Sequence, residues 1–250
     1  MFEQQAEIQT QDGAINTFIV HPERCGPHAV ILFLMDAPGI REELRDMARR
    51  IASVGYYVML PNLYYRSGVE ELGAFTGDAP EAAETRKRMF GLIDTIDIPR
   101  VMDDAAALVA FADQDPAADA ARIGTVGYCM SGQYAISAAA RFPERVKAAA
   151  SIYGVRLMTD RPDSPHLAAA GSTAEIYVAW AEIDHYAPLD QLQPFADTLR
   201  AAGVDAEVEL YPGVEHGFAF PGRPAYDKPA AERHWERLFD LFGRALRPSS

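Results

Sequence analysis

The chain has 250 residues, 49% of them hydrophobic and 24% charged, with a formal net charge of -13 and a pI near 4.9. That length and composition suit one globular domain with a large core, spanning 1–250. The acidity and the lack of any Lys/Arg cluster exclude an electrostatic footprint for nucleic acid or an anionic membrane surface.

From the start, Met1–Gly13 shows neither the basic nor the apolar region of a signal peptide. The longest apolar stretches, near Ala29–Met35 and Ala148–Ile152, are too short to span a bilayer. Two cysteines, Cys25 and Cys129, make neither a disulfide framework nor a thiolate zinc site, and a reducing cytoplasm is expected. Alternation over Glu7–Gln11 and Ile15–Val20, split by Asp12-Gly13, predicts an antiparallel hairpin. Ala29–Met35 reads as a strand covered on both faces. Leu44, Met47, Ala48 and Ile51 recur at helical spacing within Arg41–Val54, and Gly55 ends that helix before a strand at Tyr56–Leu60. Asn62–Pro80 is loop-like, and Glu81–Leu92 and Val101–Asp113 read as helices. Strands follow at Arg122–Tyr128, Val146–Tyr153, Glu175–Ala181 and Ala206–Tyr211, separated by helices at Gly132–Arg141 and Pro188–Ala202 and closed by one at Ala230–Leu246. Parallel strands need crossovers, and helices supply them. The predicted fold class is therefore α/β: a mostly parallel, doubly wound sheet with an antiparallel N-terminal edge.

Gly127-Tyr128-Cys129-Met130-Ser131-Gly132 lies between a strand and a small-residue helix, the setting of a nucleophile elbow. Small residues on either side of the centre let strand and helix approach. The helix N-terminus favours thiolate over thiol at Cys129. The segment alone fits a buried, inert cysteine equally well. A nucleophile needs a base, and the base needs an orienting carboxylate; in α/β-hydrolases the chain order is nucleophile, acid, histidine. Asp184 and His216 follow in that order, each in a loop just past a predicted strand, at the edge where open α/β sheets bind ligands. His185 competes for the base role but adjoins Asp184 too closely to serve both partners, and Glu182 is the fallback acid. His21, His28, His166 and His234 read as surface or packing residues. No metal site is expected, since His185 and His216 lack a close-spaced companion ligand. Asp36, ending the first buried strand, is either a turn residue or an acceptor for the Cys129 proton. The amides of Ala37 and Met130 are the expected oxyanion donors. Tyr64, Tyr65, Phe75, Tyr153 and Phe220 are candidates for a pocket wall or for core packing.

With these residues in view, the chain resembles the dienelactone hydrolase (carboxymethylenebutenolidase-like) family over nearly its whole length. The resemblance rests on Met35-Asp36-Ala37-Pro38-Gly39, Gly127–Gly132, Ile152-Tyr153-Gly154, Ala181–His185 and His216-Gly217-Phe218. It implies the α/β-hydrolase fold, a Cys-His-Asp triad, no cofactor, a monomer or homodimer, and hydrolysis of a small ester or lactone, commonly a cyclic one bearing a carboxylate. Three departures stand out. Asp36 replaces a frequent Glu, and Ser131 replaces a usual Gly. Phe218-Ala219-Phe220 occupies the place of one of two substrate-binding arginines; Arg86 or Arg88 would match the other, and Arg223 comes later. A thioesterase or general carboxylesterase, and a non-catalytic binding protein on the same fold, are the alternatives.

Overall fold

A computed structural model describes residues 1–247. The chain divides into two compact units, Met1–Ala120 and the part from Ala121 onward.

The first unit opens with the antiparallel hairpin. β1 (Phe2–Thr10) and β2 (Gly13–His21) pair from Phe2↔His21 to Thr10↔Gly13. Both are longer than their alternating cores. The turn closes tightly around Gln11-Asp12, with Gly13 at φ +136 and the Thr10 hydroxyl donating to Gly13 O at 2.8 Å, and the register then runs out to the strand ends. β2 pairs antiparallel with β4 (Tyr57–Pro61), which pairs parallel with β3 (His28–Leu34). Every residue of β3 and β4 is buried, as the continuous apolar run at Ala29–Met35 implied for β3. Between them α1 (Glu42–Ala52) buries Leu44, Met47, Ala48, Ile51 and Ala52, with acids in its first turn and arginines in its last. α2 (Pro80–Ile93) and α3 (Ile98–Ala112) each begin with a proline in the first turn; Asp97 caps α3 by accepting the Arg100 N–H at 2.9 Å.

β5 (Ala118–Tyr128) begins at the end of the first unit and runs into the second, which then alternates α4 (Gly132–Arg141), β6 (Val146–Ile152), the single-turn α5 (Pro165–Ala168), β7 (Glu175–Ile183), α6 (Leu192–Ala201), β8 (Ala206–Glu215) and α7 (Lys228–Ala245). β5–β6, β6–β7 and β7–β8 are all parallel. The chain is thus α/β, with eight mostly parallel strands among the described residues and an antiparallel N-terminal edge. Among those residues no helix is long and apolar enough to cross a membrane.

Two differences from the sequence reading matter. The helix expected over Pro188–Ala202 starts as a 3-10 turn, Leu189–Gln191, before α6. More consequentially, β7 and β8 outrun their apolar stretches. A register shift between Ala181 and Ile183 carries the ladder past Pro212, which has no N–H to give, and Ile183 pairs with Glu215. The Glu182 carboxylate accepts the Gly213 N–H at 2.6 Å across this irregularity.

Candidate active site

β5 ends at Tyr128, and the chain turns at once into the 3-10 segment Cys129–Ser131 and then α4. Cys129 holds φ +55, a left-handed conformation that costs a non-glycine residue about 1–3 kcal/mol and needs its surroundings to enforce it. The neighbouring glycines explain how. A Cβ on Gly127 would stand 2.0 Å from Ser131 O, and one on Gly132 would stand 2.4 Å from Gly154 Cα. Strand, helix and the end of β6 therefore close on the turn as only glycine permits. The Val155 N–H donates to Cys129 O at 3.0 Å and pins it from the β6 side. Ser131 fits the place of the usual Gly with its side chain fully buried. Cys129 itself is part-exposed.

Asp184 and His216 are the residues immediately after the last bridged pair, Ile183↔Glu215, so the extended ladder sets them side by side. The His216 N–H donates to Ile183 O at 3.2 Å, and Gly217 turns the chain away at φ +94. Asp184, with 1% of its side chain exposed, accepts the Tyr186 and Ala187 N–H groups on Oδ1 at 2.8 and 3.1 Å. Its Oδ2 lies 2.7 Å from His216 Nδ1. A carboxylate oxygen only accepts, so Nδ1 carries the proton. Nε2 is buried and makes no hydrogen bond. Burial alone pulls the His216 pKa down. Cys129 and the bond to Asp184 together outweigh it and push the value up to about 10.

Aromatic rings enclose the imidazole. Tyr153, at φ +37 after β6, packs edge-on at 4.9 Å, and Tyr186 does so at 5.1 Å from the other loop. Tyr186 is 56% exposed and was not singled out by the sequence, although an aromatic two residues after the acid was the available signal. Phe220 is fully buried behind Tyr153 and Tyr128, with ring centroids 6.3 and 5.3 Å away; it is core packing within this unit. The Arg223 guanidinium lies over Phe220 at 4.4 Å, and its Nη1 would be 3.1 Å from a Cβ on Gly217, which sets this cation beside the histidine loop. Glu182 holds Gly213 instead of a histidine, and His185 is exposed.

In the first unit, Asp36 is 0% exposed and gripped by Arg41, at 2.6 Å on Oδ1 and 3.2 Å on Oδ2. Ala37 is buried and its carbonyl accepts the Tyr64 hydroxyl at 2.8 Å. Tyr65 belongs to a network with Thr10 and the buried Asp104. Arg86 donates from Nη1 to Phe75 O and Gly77 O, both at 2.9 Å, and so ties down its own loop; Arg88 is exposed. Among the described residues no group of three His, Cys, Asp or Glu could hold a metal ion.

Residues 15–246 match the family model described as "Dienelactone hydrolase family". The chain is 31% identical over 242 residues to the "Putative carboxymethylenebutenolidase" of Methylorubrum extorquens, covering 95% of this chain and 79% of that protein. It is 29% identical to the protein of the same name from Escherichia coli strain K12, covering 94% of this chain and 84% of the other. Among solved structures it is similar to a "Putative Dienelactone Hydrolase" from Klebsiella pneumoniae, with a TM-score of 0.82, 24% identity, and 97% and 98% of the two chains covered. That last likeness concerns the fold.

Proposed function

The chain belongs to the dienelactone hydrolase family, and from that premise we propose that this carboxylic ester hydrolase cleaves a small ester or lactone with Cys129, His216 and Asp184 as its triad. The observation that supports the triad is the 2.7 Å Asp184–His216 bond, with Cys129 among the groups that raise the His216 pKa.

The thiolate of Cys129 bonds to the carbonyl carbon, and the carbonyl π electrons move onto oxygen. The Met130 N–H, at the start of the helix behind the nucleophile, stabilises that oxyanion; one such donor is typically worth about 3–4 kcal/mol. Collapse expels the alkoxide or enolate, which takes the proton from His216 Nε2 and leaves a thioester. Neutral His216, held in one tautomer by Asp184, then takes a proton from water as the hydroxide adds to the thioester carbonyl. The second collapse releases the acid and restores thiolate and imidazolium. The relatives' name, carboxymethylenebutenolidase, supports testing a lactone first among candidate substrates. Arg223, beside Gly217, is a candidate cation for a carboxylate on it.

The decisive experiment replaces Cys129 with Ala and assays small aryl esters and lactones. The expected result is a loss of at least about a thousandfold in kcat/KM with the fold intact. A correctly folded C129A protein that turns over at the original rate would remove Cys129 from the mechanism. An ester, lactone and thioester panel separates a lactonase from a general carboxylesterase or thioesterase.

A further inference from the structure

We propose that His234, on the C-terminal helix α7, is a positioning residue for the nucleophile, acting through the Tyr128 hydroxyl; this rests on Cys129 being the nucleophile. His234 is 0% exposed, carries no part of the triad, and has the surroundings of a core residue on an amphipathic helix. Its hydrogen bonds distinguish it from packing alone. Nδ1 lies against Ala231 O, one turn back on the same helix. A carbonyl oxygen only accepts, so Nδ1 bears the proton and Nε2 offers a lone pair. The Tyr128 hydroxyl, 3.0 Å away and fully buried, donates to it. A buried imidazole with both nitrogens engaged has one orientation and cannot turn without breaking a bond.

Tyr128 is the residue before Cys129 and the last of β5. Cys129 sits at φ +55 and stays there only while its neighbours enforce it. The backbone on the far side is held by the Val155 N–H on Cys129 O. On the near side Tyr128 pairs with Ile152 in the β5–β6 ladder, and its side chain adds a second restraint, tied at its tip to His234 and packed against Tyr153 and Phe220 at 6.0 and 5.3 Å. Tyr153 is also the ring against His216, at 4.9 Å. One aromatic cluster, Tyr128–Tyr153–Phe220, therefore touches the base directly and the nucleophile through its adjacent residue, and α7 is hydrogen-bonded to that cluster through His234. Phe218 joins it, lying 5.1 Å from Tyr153 and 6.3 Å from His234. Loosening Tyr128 should let the sulfur drift relative to Nε2, a displacement to which rate is steeply sensitive.

The test uses the full-length protein and three variants: Y128F, which keeps the ring and loses the O–H; H234L, which loses the acceptor; and H234Q, whose Oε1 can accept in its place. kcat and KM on phenyl acetate, the rate of Cys129 alkylation by iodoacetamide, and the His216 titration followed by NMR are measured on each. Y128F and H234L should lower kcat about tenfold with KM within about twofold, slow the alkylation, and lower the His216 titration midpoint, while H234Q recovers most of each loss. Y128F is the variant least able to disturb the fold. If Y128F keeps kcat, alkylation rate and His216 titration unchanged, with only the melting temperature moved, His234 is packing and the proposal is overturned. Should C129A retain turnover, the catalytic assignment fails separately, and alkylation and titration still decide whether His234 positions the sulfur.

Discussion

Two buried aspartates follow two strands of this protein, and their partners differ. Asp36, after β3, is held on both oxygens by Arg41, which also binds Glu43 at 2.8 Å and Gly39 O at 3.2 Å. Asp184, after β7, gives one oxygen to two backbone amides and the other to an imidazole. Arg41 does not release its proton at any ordinary pH; although burial is the largest influence and works against the charge, Asp36 and Glu43 push its pKa up further. The Asp36 pair is consequently a fixed charge contact, closing the loop that starts α1. Histidine is the one ionisable side chain that exchanges a proton near neutrality, so the same buried carboxylate beside His216 orients a group that can pass protons. Two carboxylates of equal burial thus differ in role because of what donates to them.

Exchanging each carboxylate for its amide tests that contrast. The largest effect is expected for D184N. The amide oxygen still serves the Tyr186 and Ala187 N–H groups, but its NH2 faces Nδ1 and reverses the tautomer, and kcat should fall by about 10²–10⁴ with little change in melting temperature. Steady-state kinetics with circular dichroism checks both halves. D36N should invert the pattern. Arg41, with 14% of its side chain exposed, would lose much of its compensation, at a cost of about 3 kcal/mol in unfolding free energy by urea titration, while kcat per folded molecule changes far less than in D184N. A kcat loss in D36N matching that in D184N would make Asp36 a participant in the chemistry and dissolve the distinction. The smallest effect is a titration. The His216 ring should titrate near pH 10 in the native protein and lower in C129A, where burial acts against fewer opposing influences. Because the folded value lies above the ordinary 6.5, the charged ring stabilises the fold fully below about pH 6.5, and that contribution is lost as pH rises through about 10. Thermal melts of both proteins across this range measure the difference.

Much of this was legible along the chain. The apolar run Ala29–Met35, the helical spacing of Leu44, Met47, Ala48 and Ile51, and the alternation of strand and helix after Gly124 reflect burial patterns imposed by neighbours a few residues away. The elbow was legible in part for the same reason, since Gly127 meets a local steric demand from Ser131 O, four residues on. The ends of β7 and β8 were not. Pro212-Gly213 reads as a stop, and only pairing between the strands carries the ladder through it to Ile183↔Glu215.

By itself, then, the sequence determined the α/β class and the places of Cys129, Asp184 and His216 just after strands, because periodicity, turn chemistry and chain order are local or one-dimensional properties. Tertiary structure decided which groups actually meet. It set Asp184 on His216 in preference to Glu182, closed Arg41 on Asp36, and drew His234 from the last helix to Tyr128 beside the cysteine, 106 residues away along the chain. A hydrogen bond depends on the distance and direction of two atoms in space, and spacing along the chain records neither.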